Sequence, residues 1–161
     1  MKELSDAIRL REAGKLAEAN ERLTKLASAY PHEAEVQYQC AWSFDVLGEE
    51  TAAVPYYERA IELGLSVDNK EGAYLGLGST YRTLGQYKKA EQILKEAMKQ
   101  FPKNNAFPVF YAMVRYNQKG HAEAMRILLQ LIAETTSDQD ILEYRKAISF
   151  YSDKLDMIWD K

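Results

Sequence analysis

Cysteine is almost missing from this sequence. A single thiol, Cys40, in 161 residues excludes an internal disulfide and any cysteine-based zinc site. Histidine is scarce too. His32 and His121 are the only two, and with Cys40 and the scattered carboxylates they compose neither a metal-ligand set nor a nucleophile–base pair. No catalytic residue, metal or cofactor is therefore assigned, and the chain is not read as an enzyme. A basic excess is lacking as well. The 21 Lys and Arg are outnumbered by 24 Asp and Glu, a net charge of −3, which is no footprint for a nucleic-acid backbone. The longest apolar stretches, 107–114 and 127–133, are interrupted by Pro108 and Gln130 and fall short of the roughly 20 residues of a membrane helix. Met1–Lys15 has no signal-peptide apolar core. A cytoplasmic protein with no membrane partner is expected. What remains is an ordinary globular composition, 47% apolar and 28% charged, on a chain long enough to bury a core.

The positive signal is a repeat. Gly14, Gly48, Gly85 and Gly120 are separated by 34, 37 and 35 residues. Five residues after the first three comes an alanine (Ala19, Ala53, Ala90), nine after a large side chain (Leu23, Tyr57, Leu94), and seven before a small one (Ala7, Ala41, Gly78). Each unit thus encodes two amphipathic helices, with glycine ending the first where a left-handed cap is wanted. In the fourth unit the second helix is shifted by one against Gly120 (Ala124, Leu128, Leu131), which reads as an inter-helix turn shortened by one residue. Pro31 and Pro102 close units one and three, Asn105 with Pro108 opens the fourth, and Pro55 predicts a late start or slight bend. Asp68 followed by Glu71 offers an N-cap for the helix after the long gap. After Thr135 the repeat stops. A capping-box-like Ser137–Asp140 and apolar residues at 141, 144, 148, 151, 155 and 158 predict one long terminal helix over about 138–159, covering the last repeat.

These residues resemble a tetratricopeptide repeat (TPR). Tyr74, Leu77, Gly78, Tyr81, Gly85, Tyr87, Ala90, Leu94, Ala97 and Pro102 follow the TPR pattern almost throughout, with Tyr74 in the tryptophan position. In the first unit Glu3 and Asp6 stand where the pattern prefers apolar residues, which predicts a frayed first helix. The resemblance implies an all-α fold: a right-handed superhelix of four helix-turn-helix repeats, about 1–33, 34–67, 71–104 and 105–136, plus the capping helix, in one domain. Residues 41–65 and 75–85 are similar to a group of short bacterial TPR proteins without assigned activity. That likeness implies a non-catalytic protein-binding adaptor, or alternatively a homodimerisation module.

In the TPR family the first helix of each pair lines the concave groove. Applied here, one row runs Leu4, Tyr38, Leu75, Phe110, a second Ile8, Trp42, Ser79, Val114, and a third Arg11, Asp45, Arg82, Asn117. Gln39, Gly76 and Tyr111 sit beside the first row. Gly72 and Gly76 would leave a low floor between aromatic walls. Two arrangements are open. In one, Tyr38, Trp42, Phe110 and Tyr111 anchor an extended segment or short helix while Asp45 and Arg82, within ion-pair reach, set its register. In the other, the aromatics pack on one another and Arg11–Asp45–Arg82 is a self-satisfied charge ladder. The chaperone-tail clamp of the family is not made, because its basic and amide positions carry Leu4, Ile8, Gln39, Gly72 and Gly76. The glycines at 72, 76 and 78 are not a phosphate loop, since they lie inside a helix and lack the Lys-Ser/Thr.

Cys40 is expected to be buried and inert, and both histidines exposed. Charge is uneven: residues 1–70 carry a net −5, 71–130 a net +5, and 131–161 a net −3. Lys88, Lys89, Lys95, Lys99 and Lys103 read as a solvated outer face. On the last helix Phe150 and Met157, widened by Trp159, form a second apolar stripe and a candidate dimer contact.

Overall fold

The computed structural model describes residues 1–160. Among them are ten helices and no strand: α1 (Lys2–Glu12), α2 (Leu16–Ala29), α3 (Ala34–Asp45), α4 (Glu50–Leu63), α5 (Val67–Thr83), α6 (Tyr87–Gln100), α7 (Ala106–Asn117), α8 (His121–Thr135), α9 (Gln139–Glu143) and α10 (Arg145–Tyr151). The chain divides into two compact units, with the boundary inside α6 between Ile93 and Leu94.

In the first unit α1 packs on α2, α2 on α3, α3 on α4 and α4 on α5, while α3 also touches α1 and α5 directly. The repeat positions are its core. Ala7, Ala19, Ala41, Ala53, Ala60 and Ala90 have no exposure, and Leu23 and Tyr57 fill the space that these small residues leave. Fraying of α1 is not observed: the helix runs from Lys2 and buries Ala7 and Arg11. Glu3 is exposed and Asp6 half-buried, both lining a shallow cleft with Arg22 and Lys25 of α2, and Asp6 pairs with Arg9 of its own helix at 3.4 Å. α4 begins at Glu50, so Pro55 sits inside the helix without delaying its start. The cap of α5 is Ser66, not Asp68. Its Oγ donates to Glu35 Oε1 of α3 at 2.7 Å, its N–H donates to the same oxygen at 3.3 Å, and Asn69 Nδ2 donates to Glu35 Oε2.

The helix-ending turns correct the register of the fourth repeat. Gly14, Gly48 and Gly85 have φ of 77°, 74° and 71°, and the matching residue is Lys119 at 69°, not Gly120. The bonding agrees. Lys15, Glu49 and Gln86 donate their N–H to the carbonyls of Leu10, Phe44 and Tyr81, five residues back, and Gly120 donates to Arg115. Gly14, Gly48, Gly85 and Lys119 donate to the carbonyls three residues back. All four are the double-bonded left-handed helix end. Counted from Lys119, Ala124, Leu128 and Leu131 fall at plus five, nine and twelve, as in the other repeats. The turn is not shortened; its glycine is displaced by one. Gly120 is small for another reason, since a Cβ there would lie 3.1 Å from the carbonyl oxygen of Arg115.

In the second unit α7 packs on α8 and α10 packs on both α8 and α9. The long terminal helix is not formed. Asp138 caps α9, accepting from the Ile141 N–H at 3.1 Å, but the helix stops after five residues and restarts at Arg145. Residues 152–160 are not helical. Ser149-Phe-Tyr-Ser-Asp153 is a run of middling to poor helix formers, and Ser152 bonds the Ser149 carbonyl at 2.8 Å, a local alternative to helix propagation.

Candidate peptide-binding surface

The predicted inner row of the first unit comes together around Trp42. Its ring lies 5.9 Å from that of Tyr38, and the Arg11 guanidinium lies on it at 3.8 Å. Arg11 Nη1 donates to Gln39 Oε1 at 2.7 Å. Tyr38 continues into Tyr57 of α4, 6.2 Å away, and Tyr57 donates its hydroxyl to Asp45 Oδ2 at 2.9 Å. Thr80 of α5 donates to Asp45 Oδ1 at 3.0 Å. Tyr38, Gln39 and Tyr57 are buried, whereas Trp42 is 39% exposed. Leu75, Ser79 and Arg82 on α5 are half-buried.

Two details of the expected surface change. Asp45 does not pair with Arg82: both its oxygens are taken by hydroxyls, and Arg11 turns to Gln39 and Trp42. A carboxylate that bonds across α3, α4 and α5 is a structural tie between helices, so the charge ladder is not formed. The second change concerns the glycines. A Cβ on Gly72 would collide with the Tyr38 hydroxyl, and one on Gly76 would lie 2.6 Å from Cζ and 2.8 Å from Cε1 of Tyr57. The low floor exists, but tyrosine side chains of this chain fill it. Gly76→Ala should gain roughly 1 kcal/mol of helix propensity and lose about 1–3 kcal/mol to overpacking, a net destabilisation in urea melts. A stabilised variant would mean that the Tyr57 ring moves aside freely.

Burial pushes the Asp45 carboxyl up, against the opposing pull of its two hydroxyl bonds. With a raised value in the folded chain, the folded state holds the proton more tightly than the unfolded one. Stability contributed by this group then falls as pH rises above the ordinary aspartate value of about 3.9. Asp45→Asn removes that fall, so the stability of the variant relative to wild type should improve on going from about pH 4 to neutrality, measured by urea unfolding at each pH. A change in the variant's disfavour would mean that the hydroxyls outweigh burial.

In the second unit the displaced register moves the predicted residues off the equivalent face. Val114 is fully buried and Tyr111 is 8% exposed, with the Lys95 ammonium 5.8 Å from its ring centre. Both are core. Phe110 and Asn117 are half-buried. The positions equivalent to Trp42 and Asp45 are Met113 and Tyr116, and these are exposed, at 38% and 60%. A positive φ on a lysine gives no sequence signal, so these two positions are not legible from the glycine spacing. Phe150, Met157 and Trp159 are all about half exposed; Phe150 and Trp159 stand 6.0 Å apart, and Met157 lines a cleft of about 520 Å³ with Met125 and Leu155.

Cys40 is buried, which pushes its thiol up to about 11. His32 meets Arg59 at 3.0 Å, and His121 packs edge-on against Tyr116. Among the described residues no three or more His, Cys, Asp and Glu side chains are grouped to hold a metal ion, and no helix is long and apolar enough to cross a membrane.

Helix–turn–helix units with a common left-handed turn and a 34- to 37-residue spacing define a helical-repeat scaffold. The family model described as Tetratrico peptide repeat matches residues 34–155, and the chain belongs to the tetratricopeptide repeat family. No curated relative matches the sequence. Among solved structures, a tetratricopeptide repeat protein from Parabacteroides merdae is 24% identical with a TM-score of 0.74, over 92% of this chain and 57% of that one. A chain of the APC/C hetero-tetramer Cut9-Hcn1 is 16% identical with a TM-score of 0.73, over 91% of this chain and 29% of that one. YrrB, described as a TPR protein with an unusual peptide-binding site, is 17% identical with a TM-score of 0.65, over 94% and 85%. The chain thus spans just over half of the first and under a third of the second, and these likenesses concern the fold.

Proposed function

We propose that the protein is a non-catalytic adaptor whose first unit binds an extended segment or short helix of a partner protein across α1, α3 and α5. The observation that carries this reading is Trp42. It is the large side chain of the inner row that keeps its exposure, and Arg11 and Tyr38 hold its ring in place. A rigid, half-open aromatic is the usual anatomy of a binding hot spot. Exposed Val46 and half-buried Ile8 and Leu75 extend the apolar surface, and half-buried Ser79 and Arg82 add polar groups on α5. The test is a displayed library of random 12-residue peptides selected on the purified protein. Binders that lose affinity on Trp42→Ala support the reading, and binders indifferent to that change refute it.

The second unit favours a further role in self-association. Its exposed Phe150 and Trp159 pack together, with exposed Met157 nearby in the chain. In that reading Phe150→Glu with Met157→Glu converts a dimer to a monomer by light scattering. A wild-type chain that is monomeric at high micromolar concentration defeats it.

A further inference from the structure

Arg11 is a buried cation without an acid. It is 8% exposed, its Nη1 is bonded to a neutral amide, Gln39, and its face is covered by Trp42. Glu12, its neighbour on α1, is exposed and makes no ion pair with it, and Asp45, at the equivalent place on α3, is tied to Tyr57 and Thr80. Buried charges are ordinarily paired, because desolvation penalises a lone ion. Burial indeed pushes the Arg11 guanidinium below its ordinary value. Its Nε and Nη2 meet no acceptor among the described residues, and the side chain keeps a small part of its surface open. Of the 13 acids in residues 1–70, five lie on α2 and α4, and four of these, Glu18, Glu21, Glu58 and Glu62, are exposed.

We propose that the surface around Trp42 recognises a segment with an aspartate or glutamate beside an apolar residue. The carboxylate accepts from the free edge of Arg11, and the apolar neighbour covers Trp42. This rests on the peptide-binding reading and names the chemistry of its ligand. A planar guanidinium already fixed by Gln39 and the indole offers a preset fork to a carboxylate, which a mobile lysine would not.

The test uses peptides selected from the displayed library, then synthesised with amidated C-termini so that only side-chain carboxylates are present. Trp42-dependent binders should share an Asp or Glu next to an apolar residue. Changing that acid to its amide should weaken binding about tenfold or more, the scale of a charged hydrogen bond. Arg11→Met should lose the same factor with the acidic peptide and little more with the amide peptide, while Arg11→Lys should retain part of it. The acid-to-amide comparison on wild-type protein decides the matter even where Arg11→Met does not fold. Trp42-dependent peptides with no acid in common, or with unchanged affinity after amidation of the acid, overturn the inference and leave peptide binding standing. Binding only to the free C-terminal acid form also overturns it. Absence of any Trp42-dependent peptide overturns both.

Discussion

Tyr57→Ala should lower the stability of the first unit by about 3–5 kcal/mol, the usual cost of removing a fully buried aromatic ring. That is a large share of a typical total of about 5–15 kcal/mol, so the variant should be largely unfolded at moderate urea. The reason lies in three contacts. Tyr57 is 2% exposed, its ring occupies the space opened by Gly76, and its hydroxyl holds Asp45 at 2.9 Å. Truncation leaves a cavity between α4 and α5 and strips the carboxylate of one donor. Tyr57→Phe keeps the ring and loses only the hydrogen bond, so its cost should be near 1–3 kcal/mol. Urea melts of both variants separate the terms. A loss below about 1 kcal/mol for the alanine variant would mean that α4 and α5 close over the gap.

Trp42→Ala should separate binding from folding. The ring is 39% exposed, so its removal costs less stability than that of Tyr57, and Arg11 keeps its bond to Gln39. A hot-spot tryptophan is worth about 2 kcal/mol or more to a complex, roughly thirtyfold in affinity. The variant should therefore melt cooperatively, with partner affinity reduced by that factor. If it fails to fold, Trp42 is core and the binding surface lies elsewhere.

The repeat was legible because burial follows local spacing. Alanines at plus five and large residues at plus nine pack between neighbouring helices, and both periods stand in the sequence. In the fourth repeat the glycine does not mark the left-handed turn, so the sequence pattern there points one residue out. Lys119 occupies that place at φ 69°, while Gly120 answers to the Arg115 carbonyl. The terminal segment kept its apolar spacing without keeping a helix, because spacing does not supply helix propensity, and Tyr144, Leu155 and Ile158 of that predicted face are more than half exposed. Within the candidate site, Trp42 and its neighbours on α3 were legible from position. The contributions of Tyr57 and Thr80 were not, since Asp45 chose between a guanidinium and two hydroxyls only once three helices had met.

The central claim, that a ligand segment lies against Trp42, has a direct reporter. The chain has two tryptophans, and Trp159→Phe leaves Trp42 as the single indole, to be excited at the red edge of its band where the 11 tyrosines do not absorb. Titrating that variant with a selected 12-residue peptide should shift the indole emission to shorter wavelength and protect it from acrylamide, saturating at the peptide concentration where anisotropy of a labelled peptide saturates. Unchanged emission and quenching while the labelled peptide still binds would place the ligand away from Trp42 and contradict the account.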